Sequence, residues 1–226
     1  MSVALRPPGS LLAKSFPACA AAITMLLPLC IAAQEERAPA QERSGSAERD
    51  CAVIRFGEGC WSAGFHAGYA IPFHFDDANI QVEDSTFAAL FPRVAVGLTD
   101  LQGDGSLRGN IELGLEGHFL IQTQPHSGSA WGASLLLRYN FLAHDRFVPF
   151  LEIGGGLIDL DFDLDSRADG INFALQGSVG VHWLVWERAA ITAQWRYHHI
   201  SNGRINEPNV SVDSSLFLIG TTFFLD

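Results

Sequence analysis

The chain of 226 residues is 48% hydrophobic and 11% aromatic but only 17% charged, a composition that excludes a disordered protein and demands a large buried or lipid-covered apolar surface. A formal net charge of −11 is a poor match for a phosphate backbone, so nucleic acid is excluded as a partner. Lys14 is the only lysine and falls in a segment that export is expected to remove, which leaves no lysine for Schiff-base chemistry.

Residues 16–33 read FPACAAAITMLLPLCIAA, preceded by Arg6 and Lys14 and followed abruptly by QEERAPAQERSGSAERD. A cationic start, an apolar centre and small residues before a polar break make residues 1–33 a secretory signal peptide cut near Ala33. An anchoring helix is the weaker alternative, since Pro17 and Pro28 interrupt it. A lipoprotein site at Cys30 has a bulky leucine before the cysteine. Residues 34–60 are expected to be a periplasmic tether, because Gln34 to Asp50 holds hardly a large apolar residue. Cys51 and Cys60 close this segment and are expected to form a disulfide in an oxidising compartment. Two thiols alone make only half a zinc site.

Residues 61–226 are expected to form one barrel domain. No uninterrupted apolar run here reaches the roughly 20 residues a transmembrane helix needs, so any membrane crossing falls to strands. In WSAGFHAGYAIPF, Trp61, Ala63, Phe65, Ala67, Tyr69, Ile71 and Phe73 share one face, and Ser62, Gly64, His66, Gly68 and Ala70 the other. That is the period of a strand. A segment near Pro92 to Thr99 follows. The same parity sets Ile111, Leu113, Leu115 and Phe119 against Asn110, Glu112, Glu116 and His118, and sets Trp131, Ala133, Leu135, Leu137, Tyr139 and Phe141 against Ser134, Arg138 and Asn140. It returns in Phe173, Leu175, Val179, Val181 and Trp183 against Asn172, Gln176, Ser178 and His182. Segments from Phe147 to Ile158, Ala189 to Ser201 and Asp213 to Leu225 bring the strands to eight.

A soluble lipocalin-like barrel also has eight strands and one apolar face. The polar set decides between them. It mixes glycines with Glu112, Glu116, Glu152, Arg93, Arg138, Arg196 and Gln176, which suits a narrow lumen of paired charges, whereas a solvated exterior without lysine would be unusual. Bulky aromatics near segment ends suit lipid-facing girdles. The fold expected is therefore all-β, an eight-stranded antiparallel transmembrane barrel of a Gram-negative outer membrane. FDDANIQVEDST, QTQPHSGS, DLDFDLDSRADG and the stretch after Ser201 are assigned as outer loops. DLQGDGS, AHDR and the turn at Trp186 to Arg188 become periplasmic turns, because outer loops run longer.

The seventh strand places His199 and Ser201 on the lipid face in line with Ile191, Ala193, Trp195 and Tyr197, and the eighth opens on Asp213 with the same parity as Ser215, Phe217 and Ile219. Hydrophilic residues on a lipid face call for a function. A hydroxyl, an imidazole and a carboxylate converging near the outer rim supply the parts of a nucleophilic triad.

The stretch His199-Ile200-Ser201-Asn202-Gly203, then Pro208-Asn209 and an acid at Asp213, resembles the PagL family of lipid A 3-O-deacylases. ELGLEG at 112–117, LRYNF at 137–141 and PFLEIGGG at 149–156 are softer matches. The resemblance implies a barrel esterase that removes an ester-linked 3-hydroxyacyl chain from lipid A of lipopolysaccharide at the outer leaflet. It implies His199 as base, Ser201 as nucleophile and Asp213 as orienting acid, with Asn209 and backbone amides near Gly203 and Arg204 as oxyanion donors. The family usually carries glutamate where this chain has Asp213, and an aromatic where it has Ile200. No metal or cofactor is expected.

Partners are lipopolysaccharide and outer-membrane lipid, with a homodimer left open. The competing readings are a catalytically silent structural or adhesive barrel and a palmitoyl transferase. His198 has the opposite parity from His199 and is expected in the lumen beside Arg196, with His66, His118 and His182 as interior groups. Asp159, Asp161, Asp163 and Asp165 lack the glycine and terminal glutamate of a calcium loop and read as a solvated acidic loop.

Overall fold

The computed structural model describes residues 55–73, 86–124, 127–142, 144, 146–162, 170–205 and 211–225. Among them eight strands form a closed antiparallel barrel in sequence order: β1 (Trp61–Phe73), β2 (Thr86–Gly97), β3 (Gly109–Gln124), β4 (Gly128–Phe141), β5 (Phe147–Asp161), β6 (Gly170–Trp186), β7 (Ala189–Ser201) and β8 (Val212–Leu225). Closure runs from Trp61↔Leu225 to Phe73↔Asp213 between β1 and β8, so no strand edge is left unpaired, as a bilayer requires. Gly220 faces β1 closely at this seam, where a Cβ would run into the backbone of Phe65 and His66. Each strand has 12 to 17 residues, more than the roughly 9–11 needed to cross a bilayer.

Side chains follow the expected parity. Large apolar groups stand on the outside, among them Tyr69, Ile121, Leu135, Ile153, Leu175, Phe217 and Ile219, each more than half exposed. An apolar belt of that extent belongs in lipid rather than water. Inside, Arg93, Arg138 and Arg196 face Glu112, Glu116 and Glu152, all buried. Arg93 is paired with Glu152 and, at 2.9 Å, with Glu112. Arg138 donates to Glu152 at 2.9 Å, and Arg196 donates to Glu116 at 2.6 and 3.0 Å. The Arg138 and Arg196 guanidiniums also lie over the rings of Phe150 and Phe91, at 3.9 and 4.7 Å from the centroids. Apolar layers cap this charged waist. Phe87, Phe91, Leu120, Ile158, Leu160, Ile200, Val212 and Leu216 fill one end, and Phe56, Val148, Leu184, Ala190 and Phe224 the other.

Breaking this network leaves a buried charge behind, which costs about 3–5 kcal/mol. Arg196→Ala strands Glu116 in the lumen, so the temperature at which the folded, fast-migrating gel band converts to the unfolded one should fall clearly. Adding Glu116→Leu removes the stranded charge and should restore much of the loss. Equal melting of Arg196→Ala and wild type would mean the ion pairs carry no net stability.

Several boundaries differ from the sequence expectation. β5 runs to Asp161, so Asp159 and Asp161 lie in the strand, paired with Trp131 and Ser129 of β4, rather than in the acidic loop expected there. β2 begins at Thr86 rather than near Pro92, with Pro92 inside the strand. Proline has no N–H to donate, and accordingly the β2–β3 ladder skips Phe91 and Pro92, resuming in the same register at Arg93↔Glu116. The β3 and β4 strands run through most of QTQPHSGS, leaving only residues 125–127 between them. The chain also joins the barrel before Trp61: Phe56 is 1% exposed and packs edge-on to Phe224 at 5.0 Å, while Gly59 N–H donates to Gly97 O at 2.9 Å. The expected signal peptide, Gln34 to Asp50 and Cys51 lie outside the described residues, and the Cys51–Cys60 pairing with them.

Candidate active site

Register and pleat bring the three candidate residues together. His199 and Ser201 stand two residues apart on one face of β7, while His199 lies directly across from Asp213 in the β7–β8 ladder. His199 Nδ1 donates to Asp213 Oδ1 at 2.8 Å, and His199 Nε2 lies 3.1 Å from Ser201 Oγ. With the proton on Nδ1 held by the carboxylate, Nε2 presents its lone pair to the serine hydroxyl. All three side chains point away from the lumen. The His199 side chain is 27% exposed and that of Asp213 only 9%. On the other side of β7, the lipid-facing Phe173 and Leu175 of β6 pair with Ser201 and His199 and give the cluster an apolar flank.

Ser201 is the last residue of β7, and a tight turn begins at once. Ile205 N–H closes it on Asn202 O at 3.2 Å. Both central residues are left-handed, Gly203 at φ +63 and Arg204 at φ +65. Glycine adopts that conformation freely, whereas an arginine does so at a cost of roughly 1 kcal/mol. The Arg204 amide proposed as an oxyanion donor is already engaged: its N–H donates to Asn202 Oδ1 at 2.9 Å. Asn209 lies outside the described residues, as does Glu207, the acid in the sequence between Ser201 and Asp213.

Two further contacts to the carboxylate were not legible in the sequence. Tyr197 Oη donates to Asp213 Oδ1 at 2.5 Å, and Ser211 Oγ donates to Oδ2 at 3.3 Å. Parity had placed Tyr197 among the lipid-facing apolar residues, which is where its ring lies. The destination of its hydroxyl depends on the β7–β8 register. His198 points into the lumen, with its ring 5.4 Å from that of His118, so it does not converge with His199. His66, His118 and His182 are also buried in the lumen. Asp159 and Asp161 end β5, while Asp163 and Asp165 lie outside the described residues. Among the described residues no group of three or more His, Cys, Asp or Glu is placed to hold a metal ion.

The fold is that of an outer-membrane β-barrel, and the sequence family makes it a hydrolase. The profile of the family described as lipid A 3-O-deacylase (PagL) matches residues 63–222. The chain belongs to that family of outer-membrane enzymes. Among solved structures, Neisserial surface protein A shares the fold with a TM-score of 0.51 at 16% identity, over 74% of this chain and 99% of that one. The outer membrane enzyme PagL superposes with a TM-score of 0.46 at 14% identity, over 72% of this chain and 98% of that one. Ail, the attachment invasion locus protein of Yersinia pestis, gives 0.44 at 11% identity, over 74% and 99%. No curated protein sequence matches the chain.

Proposed function

We propose that this protein hydrolyses the ester-linked 3-hydroxyacyl chain at position 3 of lipid A, with Ser201 as nucleophile, His199 as general base and acid, and Asp213 as the group that orients His199. The observation that carries this reading is the unbroken hydrogen-bonded line from Asp213 through His199 to Ser201, on a wall where such polar side chains have no packing purpose. In the first step Ser201 Oγ attacks the ester carbonyl carbon while His199 Nε2 takes its proton. The tetrahedral intermediate collapses as His199 returns that proton to the departing sugar oxygen, leaving an acyl-serine. Water, deprotonated by His199, then attacks the acyl-serine and releases the free hydroxy fatty acid, and Ser201 recovers its proton. The Gly203 amide and Asn209 side chain are the donors we assign to the oxyanion.

Connection lengths support an outer-leaflet location for this end. β1–β2, β5–β6 and β7–β8 are joined here by residues 74–85, 162–169 and 202–211 and β3–β4 by the short 125–127, whereas β4–β5 and β6–β7 at the other end are joined by 142–146 and 187–188 and β2–β3 by the longer 98–108; three of the four connections at this end are long and two of the three at the other end are short. Lipopolysaccharide would then reach Ser201 sideways, within its own leaflet, with Phe173 and Leu175 against its acyl chains.

The test is the mass of lipid A from a lipopolysaccharide-bearing host that expresses the protein. Deacylation makes lipid A lighter by one hydroxyacyl chain and yields that acid free. Unchanged lipid A, both in cells and with purified protein in detergent, would leave a silent barrel. An increase in mass would point to acyl transfer instead.

A further inference from the structure

Asp213 is a carboxylate at a lipid-facing position, 7% exposed, and a buried anion must be held by donors. His199 supplies one. The others converge from outside the serine–histidine pair: Tyr197 Oη on Oδ1 at 2.5 Å and Ser211 Oγ on Oδ2 at 3.3 Å. Tyr197 lies two residues before His199 on the same face of β7 and opposite Ser215, so it reaches Asp213 across the diagonal of the ladder. Its ring is backed by Phe73, 6.1 Å away centroid to centroid, the β1 residue paired with Asp213.

We infer that Tyr197 is a positioning residue of the proposed deacylation site, which holds the Asp213 carboxylate against His199 Nδ1. The inference rests on the Ser201–His199–Asp213 reading above. An aspartate side chain has one methylene fewer than glutamate and can rotate away from the imidazole about χ1. A hydroxyl donating to Oδ1, the oxygen that also accepts from His199, fixes that rotamer and leaves the negative charge facing the ring. As His199 takes the serine proton, the carboxylate then stabilises the imidazolium in place, without the proton passing on to it. The second role open to a lipid-facing tyrosine is that of a girdle aromatic, anchoring the barrel through its ring. Loss of the hydroxyl separates the two roles.

Tyr197→Phe keeps the ring against Phe73 and removes only the donor. A hydrogen bond to a charged group is among the stronger ones, so kcat on lipid A in detergent micelles should fall at least about tenfold, with KM and the heat-induced gel shift unchanged. Tyr69→Phe, at a lipid-facing tyrosine of β1 that makes no contact with Asp213, should change neither parameter. In an Asp213→Asn background, followed over long incubations, Tyr197→Phe should cost nothing further, because no anion remains to be held. Native kcat in Tyr197→Phe, a loss confined to KM, or an undiminished loss in the Asp213→Asn background would each overturn the inference. If Ser201→Ala retained full activity, the underlying site reading would fall instead, a result the Tyr197 variants cannot mimic.

Discussion

Ser201→Ala and His199→Ala are each expected to leave lipid A at its original mass while folding and inserting as the wild type does. The first removes the atom that forms the acyl-enzyme, and the second removes the group placed to take and return the proton. In serine hydrolases such losses cost about 10⁶-fold in kcat and are not additive, because the groups act as a unit. The double variant should therefore be no worse than either single one. Folding is spared for a structural reason. Both side chains stand on the lipid face, apart from the arginine–glutamate waist and from the apolar layers that cap it, and substitutions away from packed features shift stability by only about 0.5 kcal/mol. The gel shift on heating separates a dead enzyme from an unfolded barrel. Lipid A that is still deacylated by a correctly inserted Ser201→Ala protein would remove serine from the mechanism.

Much of this architecture is written in the sequence because the period-two code is redundant: each strand repeats the same choice of face six or more times. A one-residue slip of β3, β4 or β7 would turn Glu116, Arg138 or Arg196 out into lipid, so the parity of one strand constrains its neighbours. The same parity placed His199, Ser201 and Asp213 on one face. What parity does not encode is which residues meet across strands. That Arg196 meets Glu116, 80 residues earlier, depends on shear and lumen width. That Tyr197 meets Asp213 depends on the β7–β8 register, for which the intervening turn gives no rule. Boundaries failed where local chemistry was overridden by the ladder. Pro92 reads as a strand start because it cannot donate, yet β2 continues on its N-terminal side, held by pairs such as Ala70↔Phe87 and Leu90↔Phe119. Phe56 falls in the segment expected to be a tether on the composition of Gln34 to Asp50, whereas it is buried in the apolar layer with Val148, Leu184, Ala190 and Phe224, a contact that no local pattern encodes.

Asp213→Ala should lower kcat by about 10³–10⁴-fold, less than loss of the serine or histidine, since the orienting acid contributes through the imidazole rather than by bonding to substrate. Without the carboxylate, Nδ1 loses its acceptor at 2.8 Å, and the ring is free to rotate or to adopt the tautomer that turns a proton toward Ser201. Tyr197 and Ser211 lose their acceptor at the same time, so the whole cluster loosens, yet no charge is stranded and the barrel should melt as before. Asp213→Glu is the informative companion. The native aspartate already reaches His199, so the extra methylene closes no gap, and it must be accommodated against Tyr197 Oη, which sits 2.5 Å from the present oxygen. Activity should therefore persist within about tenfold of wild type, because the charge is kept and a single hydrogen bond is at stake. Wild-type turnover in Asp213→Ala would place the acid elsewhere, with Glu207 in the β7–β8 connection as the next residue to replace.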